Sequence, residues 1–314
     1  MHGVAKRKNI AYSRRMFPLE QLVRDNVPSA KPELWASVSG AVWRRLAAWV
    51  NTRVDPEWPK RPFITTIEPE RLLLEVIPND VIGKPITRLG VYEFAASKLV
   101  REYLKAGDVF VDIGANIGYY TVIAGKAVGA AGRVYAFEPS PRIRARLERN
   151  VRLNGMAHVQ VRGEAVTAQS GVVTLVEPQG LGNDGLAFVD LSGAHGGVEV
   201  CSIRLDDFSE LTESKPALLK IDVEGGEPAV FEGASRFFGG ADAPSILFES
   251  FEIARDAAIL HAHGYQVFQP LLRNGVVRLT SDLQAPRYRR WEAPNFLAVK
   301  SDRGKHFAQS LGWH

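Results

Sequence analysis

Residues 109–118 read VFVDIGANIG, and residues 135–139 read YAFEP. The first run is typical of a buried strand followed by a glycine-rich turn, and the second of a strand that ends in a carboxylate, Glu138. The intervening residues fit one helix. A parallel sheet holds a nucleoside at the carboxyl ends of its strands with these parts in this order. The two runs therefore predict a nucleoside site.

The acidic residues of these runs favour S-adenosyl-L-methionine over a dinucleotide as the cofactor. Asp112 stands where a dinucleotide site would have its first glycine. Helix amides with no carboxylate nearby suit a pyrophosphate, whereas a carboxylate beside the turn suits the cationic sulfonium and ammonium groups. Glu138 is expected to accept hydrogen bonds from both ribose hydroxyls.

Strands and helices alternate from Asp108 onward, which predicts an α/β protein. We expect a Rossmann-like fold with a mostly parallel seven-stranded sheet and helices on both faces. Two β-rich pieces, at 171–176 and 198–203, flank a glycine-rich segment at 180–185 and are expected to form an inserted β-hairpin. The predicted strands of the sheet are 109–113, 133–137, 159–162, 217–223, 245–250, 264–268 and 295–299, and the predicted helices between them are 118–128, 141–154, 228–238 and 254–263.

The chain of 314 residues is expected to divide into four segments. These are a basic tail at 1–30, a helical and β appendage at 31–90, an S-adenosylmethionine-dependent domain at 91–300 and a C-terminal tail at 301–314. Within the appendage, apolar residues recur every fourth position over 34–50 and predict a helix, which Trp35, Trp43 and Trp49 widen. Packing on the main domain is favoured for this face, and a homodimer contact or a substrate-site lid are the alternatives. A strand at 71–77 and a helix at 91–104 follow.

Composition narrows the class of protein. The single cysteine, Cys201, excludes an internal disulfide framework and fits a reducing compartment, so cytoplasmic residence is expected. No stretch approaches the roughly 20 apolar residues of a membrane span. The net charge of +4 comes partly from the basic front end, for which a solvated tail is favoured over nucleic-acid binding. No zinc-binding spacing is present, and no metal is expected.

Carboxylates follow several of the predicted strands, at the edge where an open α/β sheet binds its ligands. Glu164 is a candidate for the adenine amine. The run KIDVEGGE, residues 220–227, supplies Asp222 and Glu224, for which a general base or substrate-orienting role, cation binding and turn ordering all stay open. His195, in a glycine-flanked loop, is another candidate base. The strand-end acids are Asp112, Glu138, Glu164, Asp222, Glu224, Glu249 and Glu252.

Five motifs together resemble FkbM-type S-adenosylmethionine-dependent methyltransferases, a class I family. They are VFVDIGANIGYYT, YAFEPSP, SIRLDDF, LLKIDVEGGEPAVFEGA and NFLAV, in the family's order, from about residue 93 to residue 300. The resemblance implies O-methylation of hydroxyl groups, typically on sugars, polyketides or other natural products. It also implies which residues bind the cofactor or line the site: Glu93, Asp112, Gly114, Asn116, Gly118, Glu138, Asp222 and Glu224.

The expected mechanism is direct in-line displacement, in which the acceptor oxygen attacks the sulfonium methyl and Asp222, Glu224 or His195 removes the proton. Three other classes stay open. A dinucleotide oxidoreductase fits the strand and turn but lacks the three-glycine signature, an RNA methyltransferase fits the basic tail, and a non-catalytic protein could bind S-adenosylmethionine without transferring its methyl. The acceptor itself is not predicted by the resemblance.

Overall fold

The structure, a computed structural model, describes residues 62–78, 80–177, 187–190, 195–273, 275–285 and 294–313. The predicted basic tail, tryptophan-bearing helix and glycine-rich segment at 180–185 lie outside the described residues. The strands are β1 (Phe63–Ile67), β2 (Leu72–Val76), β3 (Val109–Ile113), β4 (Arg133–Phe137), β5 (Val159–Arg162), β6 (Ala165–Val166), β7 (Gly171–Val176), β8 (Phe188–Asp190), β9 (Val198–Ile203), β10 (Leu218–Ile221), β11 (Ser245–Glu249), β12 (Gln266–Arg273), β13 (Val276–Thr280) and β14 (Asn295–Val299). The helices are α1 (Gly83–Leu89), α2 (Phe94–Tyr103), α3 (Tyr119–Val128), α4 (Pro141–Leu153), α5 (Ser209–Ser214), α6 (Glu227–Gly233), α7 (Ser235–Gly239), α8 (Ile253–Ala262) and α9 (Asp302–Ser310).

Eight of the described strands form one sheet, in the order β13-β12-β14-β11-β10-β3-β4-β5. The five strands from β11 to β5 are parallel, whereas β14 is antiparallel to both its neighbours and β13 is antiparallel to β12. The α/β class and Rossmann-like fold are confirmed, but the sheet is mixed and has one strand more than predicted. The chain runs outward from β3 to β5 and then crosses to β10, and this reversal creates a crevice at the carboxyl ends of β3 and β10.

Successive residues of the central strands face opposite sides of the sheet, and each side has its own hydrophobic core. Phe110 packs with residues of α2, α3 and α4, whereas Val111 and Ile113 pack with residues of α6, α7 and α8. Both faces are therefore covered by helices, as predicted. The same alternation assigns Asp112 and Lys220 to the side of Phe110, because they pair with each other in the β3–β10 register.

The predicted inserted hairpin is a larger structure. β6, β9, β7 and β8 form a second, four-stranded sheet, in which β7 is antiparallel to β8 and β9 while β6 is parallel to β9. The strands β7 and β9 have the predicted boundaries. The strands β6 and β8 contain two and three residues, which is too short for a period-2 pattern to show in a sequence.

The described part of the predicted appendage shares the core of the main domain. Ile67, Leu74 and Ile86 pack in the same core as Phe110. Asn150 of α4 fixes the position of β2, because its Oδ1 accepts from Glu75 N at 2.7 Å and its Nδ2 donates to Ile117 O at 2.8 Å. The hairpin β1–β2 is thus hydrogen-bonded to the domain that carries the glycine-rich turn.

The predicted C-terminal tail contains a helix. In α9, Arg303 forms an ion pair with Asp108 at 2.5 Å, and the ring centroids of Phe307 and Tyr103 lie 4.8 Å apart. Gly304 permits the close approach of α9 to the sheet, because a Cβ there would lie 2.5 Å from Ser245 Oγ. The tail assignment is therefore wrong for 302–310.

Several boundaries differ locally from those predicted. The helix expected at 228–238 consists of α6 and α7, which Ala234 separates, and β12 starts only after Gly264, whose φ is 84°. β1, α1, α5, β13 and α9 were not predicted. No helix in the described ranges is long and apolar enough to cross a membrane.

Replacing Asn150 should destabilise the fold. Asn150→Ala leaves the buried amide of Glu75 and carbonyl of Ile117 without their partners, which we expect to cost about 2–4 kcal/mol of unfolding free energy. Urea denaturation measures the change. Arg152→Ala, at a solvent-exposed i,i+4 pair with Glu148 on the same helix, should cost less than about 0.5 kcal/mol. Equal losses for the two variants would contradict the tethering role of Asn150.

Candidate active site

A cavity of about 770 Å³ lies at the carboxyl ends of β3, β4, β10 and β11. Its size is in the usual range for small-molecule sites. Helix α1 and the second sheet supply the remaining walls. Six of the predicted site residues line it, namely Gly114, Asn116, Glu138, Glu164, Asp222 and Glu224.

Gly114 lies where the turn after β3 meets the end of β10. Its φ is 77°, and a Cβ at this position would lie 1.8 Å from the carbonyl oxygen of Asp222. Asp222 N in turn donates to Ile113 O at 3.0 Å. Only glycine fits this backbone conformation and this separation. The two strand ends thus form a backbone floor for the cavity.

Glu138, at the end of β4, is held by two backbone amides. Its Oε2 accepts from Asn116 N and its Oε1 from Ser140 N, each at 2.9 Å. Burial raises the pKa of Glu138 to about 7. Since a carboxylate oxygen has a second acceptor position, each oxygen can still accept from a ligand hydroxyl. Asn116 has a left-handed φ of 50°, so it serves the turn as well as the cavity wall.

Two residues of the predicted cofactor set lie behind the turn and do not line the cavity. Asp112 is 1% exposed and accepts from Thr121 Oγ1 at 2.5 Å, because strand alternation directs it toward α3. Burial raises its pKa to about 6. Gly118 begins α3 with φ 89°, and a Cβ there would lie 2.4 Å from Leu147 Cδ1. Both residues support the turn from behind in this structure, and their direct contacts with the cofactor stay predictions.

Glu93 is also buried beneath the cavity wall and does not line it. Glu93 immediately precedes α2 and has a left-handed backbone conformation. Its carboxylate accepts hydrogen bonds from Tyr120 Oη at 2.5 Å and from Asn295 Nδ2 at 2.8 Å. Burial raises the pKa of Glu93. The contact of Glu93 with cofactor or substrate therefore stays a prediction. Glu93 acts on the cavity through Tyr120, which does line it.

A buried lysine, to which the sequence analysis assigned no role, lies under the acidic end of the cavity. Lys220 is 1% exposed, and its Nζ lies 3.1 Å from Asp222 Oδ2 and 5.3 Å from the ring centroid of Tyr120. Burial would lower the pKa of Lys220, but the charges of Asp222, Glu93 and Glu249 raise it above its ordinary value. The sequence did contain a signal for this residue, because a lysine inside an otherwise apolar strand is seldom buried unless it is paired.

The turn after β10 is ordered by an acid outside the cavity. Glu227 accepts from Val223 N at 3.1 Å and from Gly225 N at 3.4 Å. Glu224, with a left-handed φ of 52°, is exposed at the cavity wall. Partial burial and the neighbouring charge of Asp222 raise the pKa of Glu224 to about 7.

Glu249, at the end of β11, is a cavity residue for which the sequence analysis proposed no role. Ile221 pairs with Phe248, so continuing the register by one residue brings Glu249 beside Asp222. Glu249 is 7% exposed and lines the cavity. Burial, followed by the charge of Asp222, raises the pKa of Glu249 to about 10.

The remaining two candidates have different surroundings. Glu164 lines the cavity, and its Oε1 lies 2.6 Å from Arg162 Nη2. Partial burial opposes ionisation, but the hydrogen bond from Arg162 lowers the pKa of Glu164. The His195 side chain is 59% exposed, lies 3.3 Å from Asp190 and is not part of the cavity wall. The role of His195 as a base therefore stays a prediction.

The cavity also has basic lining residues. Lys84 and Arg88, one turn apart on α1, both line the cavity. The lining thus combines positive charge from α1 with negative charge from the ends of β10 and β11. Within the described ranges, no group of three or more His, Cys, Asp or Glu residues could hold a metal ion.

The strand reversal and the glycine turn are those of a Rossmann-like nucleoside-binding domain, and the family match makes it an S-adenosylmethionine-dependent methyltransferase domain. Residues 112–267 match the family model described as the methyltransferase FkbM domain. The chain belongs to the FkbM methyltransferase family.

Similar proteins include the following three. A tRNA wybutosine-synthesizing protein 2 homolog from Macaca fascicularis is 33% identical over 130 residues, which is 40% of this chain and 28% of that protein. The hexuronic acid methyltransferase AglP of Haloferax volcanii is 30% identical over 140 residues, 43% of this chain and 54% of that protein. The crystal structure of the FkbM methyltransferase of Methylobacillus flagellatus aligns with a TM-score of 0.40 and 14% identity, over 70% of this chain and 56% of that one. The chain thus spans only about a quarter to a half of the length of the two relatives matched by sequence.

S-Adenosylmethionine is the cofactor of this class, and the residues of the cavity fit it. The close contact of Gly114 with the Asp222 backbone keeps the turn at the cavity wall. Glu138 retains acceptor positions for the ribose hydroxyls, and Glu164 lies beyond it as a candidate for the adenine amine. The acidic end at Asp222 complements a sulfonium.

Gly114→Ala should abolish cofactor binding. The added methyl would collide with the Asp222 carbonyl in a backbone conformation that alanine rarely adopts. We expect at least about 100-fold weaker binding by isothermal titration calorimetry, the equivalent of about 2.7 kcal/mol. Gly129→Ala is the matched control, because φ is 64° but nothing lies within 4 Å. Wild-type affinity in Gly114→Ala would contradict the role of this turn.

Glu138→Gln should weaken cofactor binding about 10- to 100-fold, because charge-assisted hydrogen bonds are lost and the amide would face a backbone N–H. Equilibrium binding of S-adenosylmethionine measures the effect. Glu148→Gln, on the exposed face of α4, should bind as the wild type does. Unchanged affinity in Glu138→Gln would exclude the ribose contact.

Proposed function

We propose that this chain is an S-adenosylmethionine-dependent O-methyltransferase acting on a hydroxyl group of a saccharide or another small natural product. The observation that carries the proposal is one continuous cavity that joins Glu138 and Glu164, the candidate nucleoside contacts, to the carboxylates of Asp222 and Glu224. Carboxylates at the reacting end suit the removal of a proton from a hydroxyl group.

The charge at this end argues against RNA as the acceptor. Asp222, Glu224 and Glu249 all line the cavity where the acceptor would enter, and phosphate groups are attracted by Lys and Arg and repelled by carboxylates. The similarity to a tRNA wybutosine-synthesizing protein 2 homolog favours RNA methylation as the second candidate.

Two basic residues of the cavity support a saccharide that carries a carboxylate. Lys84 and Arg88 of α1 line the same cavity as Asp222 and Glu224, so an anionic group can be accommodated beside α1 while a hydroxyl faces the two acids. The similarity to a hexuronic acid methyltransferase agrees with this arrangement. Glycan biosynthesis is therefore the favoured context.

Bound S-adenosylmethionine supplies an electrophilic methyl group. The protein contributes proximity and orientation, which are the main requirements of a direct displacement. Lys220 holds Asp222 in a fixed position at 3.1 Å, and Glu224 extends the acidic wall toward solvent. The carboxylates of this wall orient the acceptor hydroxyl and receive its proton.

Asp222→Asn should lower turnover by two orders of magnitude or more, and should lower cofactor affinity by less, because Glu224 and Glu249 still line the same end of the cavity. Because this change leaves Lys220 buried without its partner, it also costs stability. The double variant Lys220→Met/Asp222→Asn removes the unpaired ammonium and should recover stability but not turnover. Single-turnover kinetics measure turnover, and thermal unfolding measures stability, for the wild type and both variants. Full turnover in the double variant would remove Asp222 from the mechanism.

The acceptor class can be tested with donor labelled in the methyl group. Neutral sugars, uronic acids and bulk tRNA are offered separately, and we expect label in an alkali-stable ether of a saccharide. Label in tRNA and in no saccharide would overturn the proposal in favour of RNA methylation. Label in none of these acceptors, with normal cofactor binding, would favour another natural product or a non-catalytic role.

A further inference from the structure

Glu249 differs from the other carboxylates of the acidic end. Asp222 is bound by Lys220, and Glu93 accepts from Tyr120 and Asn295. Glu249 is 7% exposed and lines the cavity, yet its carboxyl group has no hydrogen-bond or ion-pair partner in the described part of the chain. Glu249 thus presents a carboxyl group without a protein partner to the cavity, where a bound ligand can contact it.

The groups around Glu249 are mostly of like charge. Asp222 lies beside it on β10, Glu93 precedes α2, and Glu224 follows β10, and all three oppose its ionisation. Lys220 favours it but is hydrogen-bonded to Asp222. Tyr92, also at the cavity wall, is close enough to respond to the charge of Glu249. Four carboxylates thus face one ammonium group, which leaves an excess of negative charge where the sulfonium is expected.

We propose that Glu249 holds a proton in the ligand-free protein, releases it when the cationic methyl donor binds, and receives the proton of the acceptor hydroxyl during transfer. This inference rests on the proposed O-methyltransferase function. It adds a proton acceptor that the sequence motifs did not single out.

The direction of this exchange follows from the surroundings. Burial and like charge raise the pKa of Glu249 to about 10, so the carboxyl is neutral at neutral pH without a ligand. A unit cation a few ångströms away in a protein interior lowers the pKa of a carboxyl by about three. The carboxylate is then ionised beside the donor and basic enough to accept a proton.

Methyl transfer leaves the net charge of the site unchanged. The bond between the methyl carbon and the acceptor oxygen forms while the carbon–sulfur bond breaks, and its electron pair stays on a sulfur that becomes neutral. The hydroxyl proton moves to a carboxylate oxygen of Glu249. One positive and one negative charge disappear together, so the excess charge of this partly buried site does not change.

The test is the number of protons released on ligand binding, measured by titration calorimetry in two buffers of different ionisation enthalpy. At about pH 8.5, wild type and Glu249→Gln are titrated with S-adenosylmethionine and with S-adenosylhomocysteine. Subtracting the number of protons released by Glu249→Gln from the number released by the wild type removes the contribution of the ligand's own ionisation. We expect about one proton for S-adenosylmethionine and about none for S-adenosylhomocysteine.

Glutamine mimics the neutral acid, so Glu249→Gln should fold, and Glu249→Met is a second neutral variant. Glu148→Gln is the control, because Glu148 lies on the exposed face of α4 and does not line the cavity. This variant should release protons as the wild type does.

The proposal would be overturned if wild type and both Glu249 variants released the same number of protons. It would also be overturned if the difference between wild type and variant were the same for S-adenosylmethionine and S-adenosylhomocysteine. The measurement requires no acceptor. A wild-type protein that releases the proton but methylates no hydroxyl compound would refute the proposed function and leave the proton linkage intact.

Discussion

The contact between the backbones of Gly114 and Asp222 determines the geometry of the site. β3 and β10 are neighbours in the sheet although about a hundred residues separate them in the chain. Their ends can meet only where one residue has no Cβ. That contact positions the turn whose Asn116 amide holds Glu138, and it brings the acids after β10 to the other end of the same cavity.

The sequence predicted most accurately those features that depend on local spacing. β3, β4, β5, β7, β9 and β14 have the predicted boundaries because each is an apolar run between turn residues. Gly114, Asn116 and Glu138 lie at the cavity because the turn after a parallel strand always emerges at the ligand-binding edge. Asp112 belongs to the strand and not to the turn, and its side chain follows the strand alternation toward α3.

Features that depend on pairing between distant segments could not be predicted from spacing. The position of Glu249 beside Asp222 follows from the β10–β11 register, which no single segment encodes. Similarly, α9 has an apolar side too small to distinguish it from a tail, and it is held by Arg303 and Phe307 against residues of α2 and the following loop. The role of Lys220 likewise depends on three acids from separate elements.

The second sheet has a consequence for how this enzyme class can diversify. It contributes Leu175, Phe188 and Val189 to the cavity wall but shares no strand with the main sheet in the described ranges. Residues can therefore be added to or removed from its connecting loops without moving Gly114 or Asp222. A library of variants in these loops alone would change the contacts made by the cavity wall and leave the strand ends at Gly114 and Asp222 unchanged. Antibody loops vary on a constant framework in the same way.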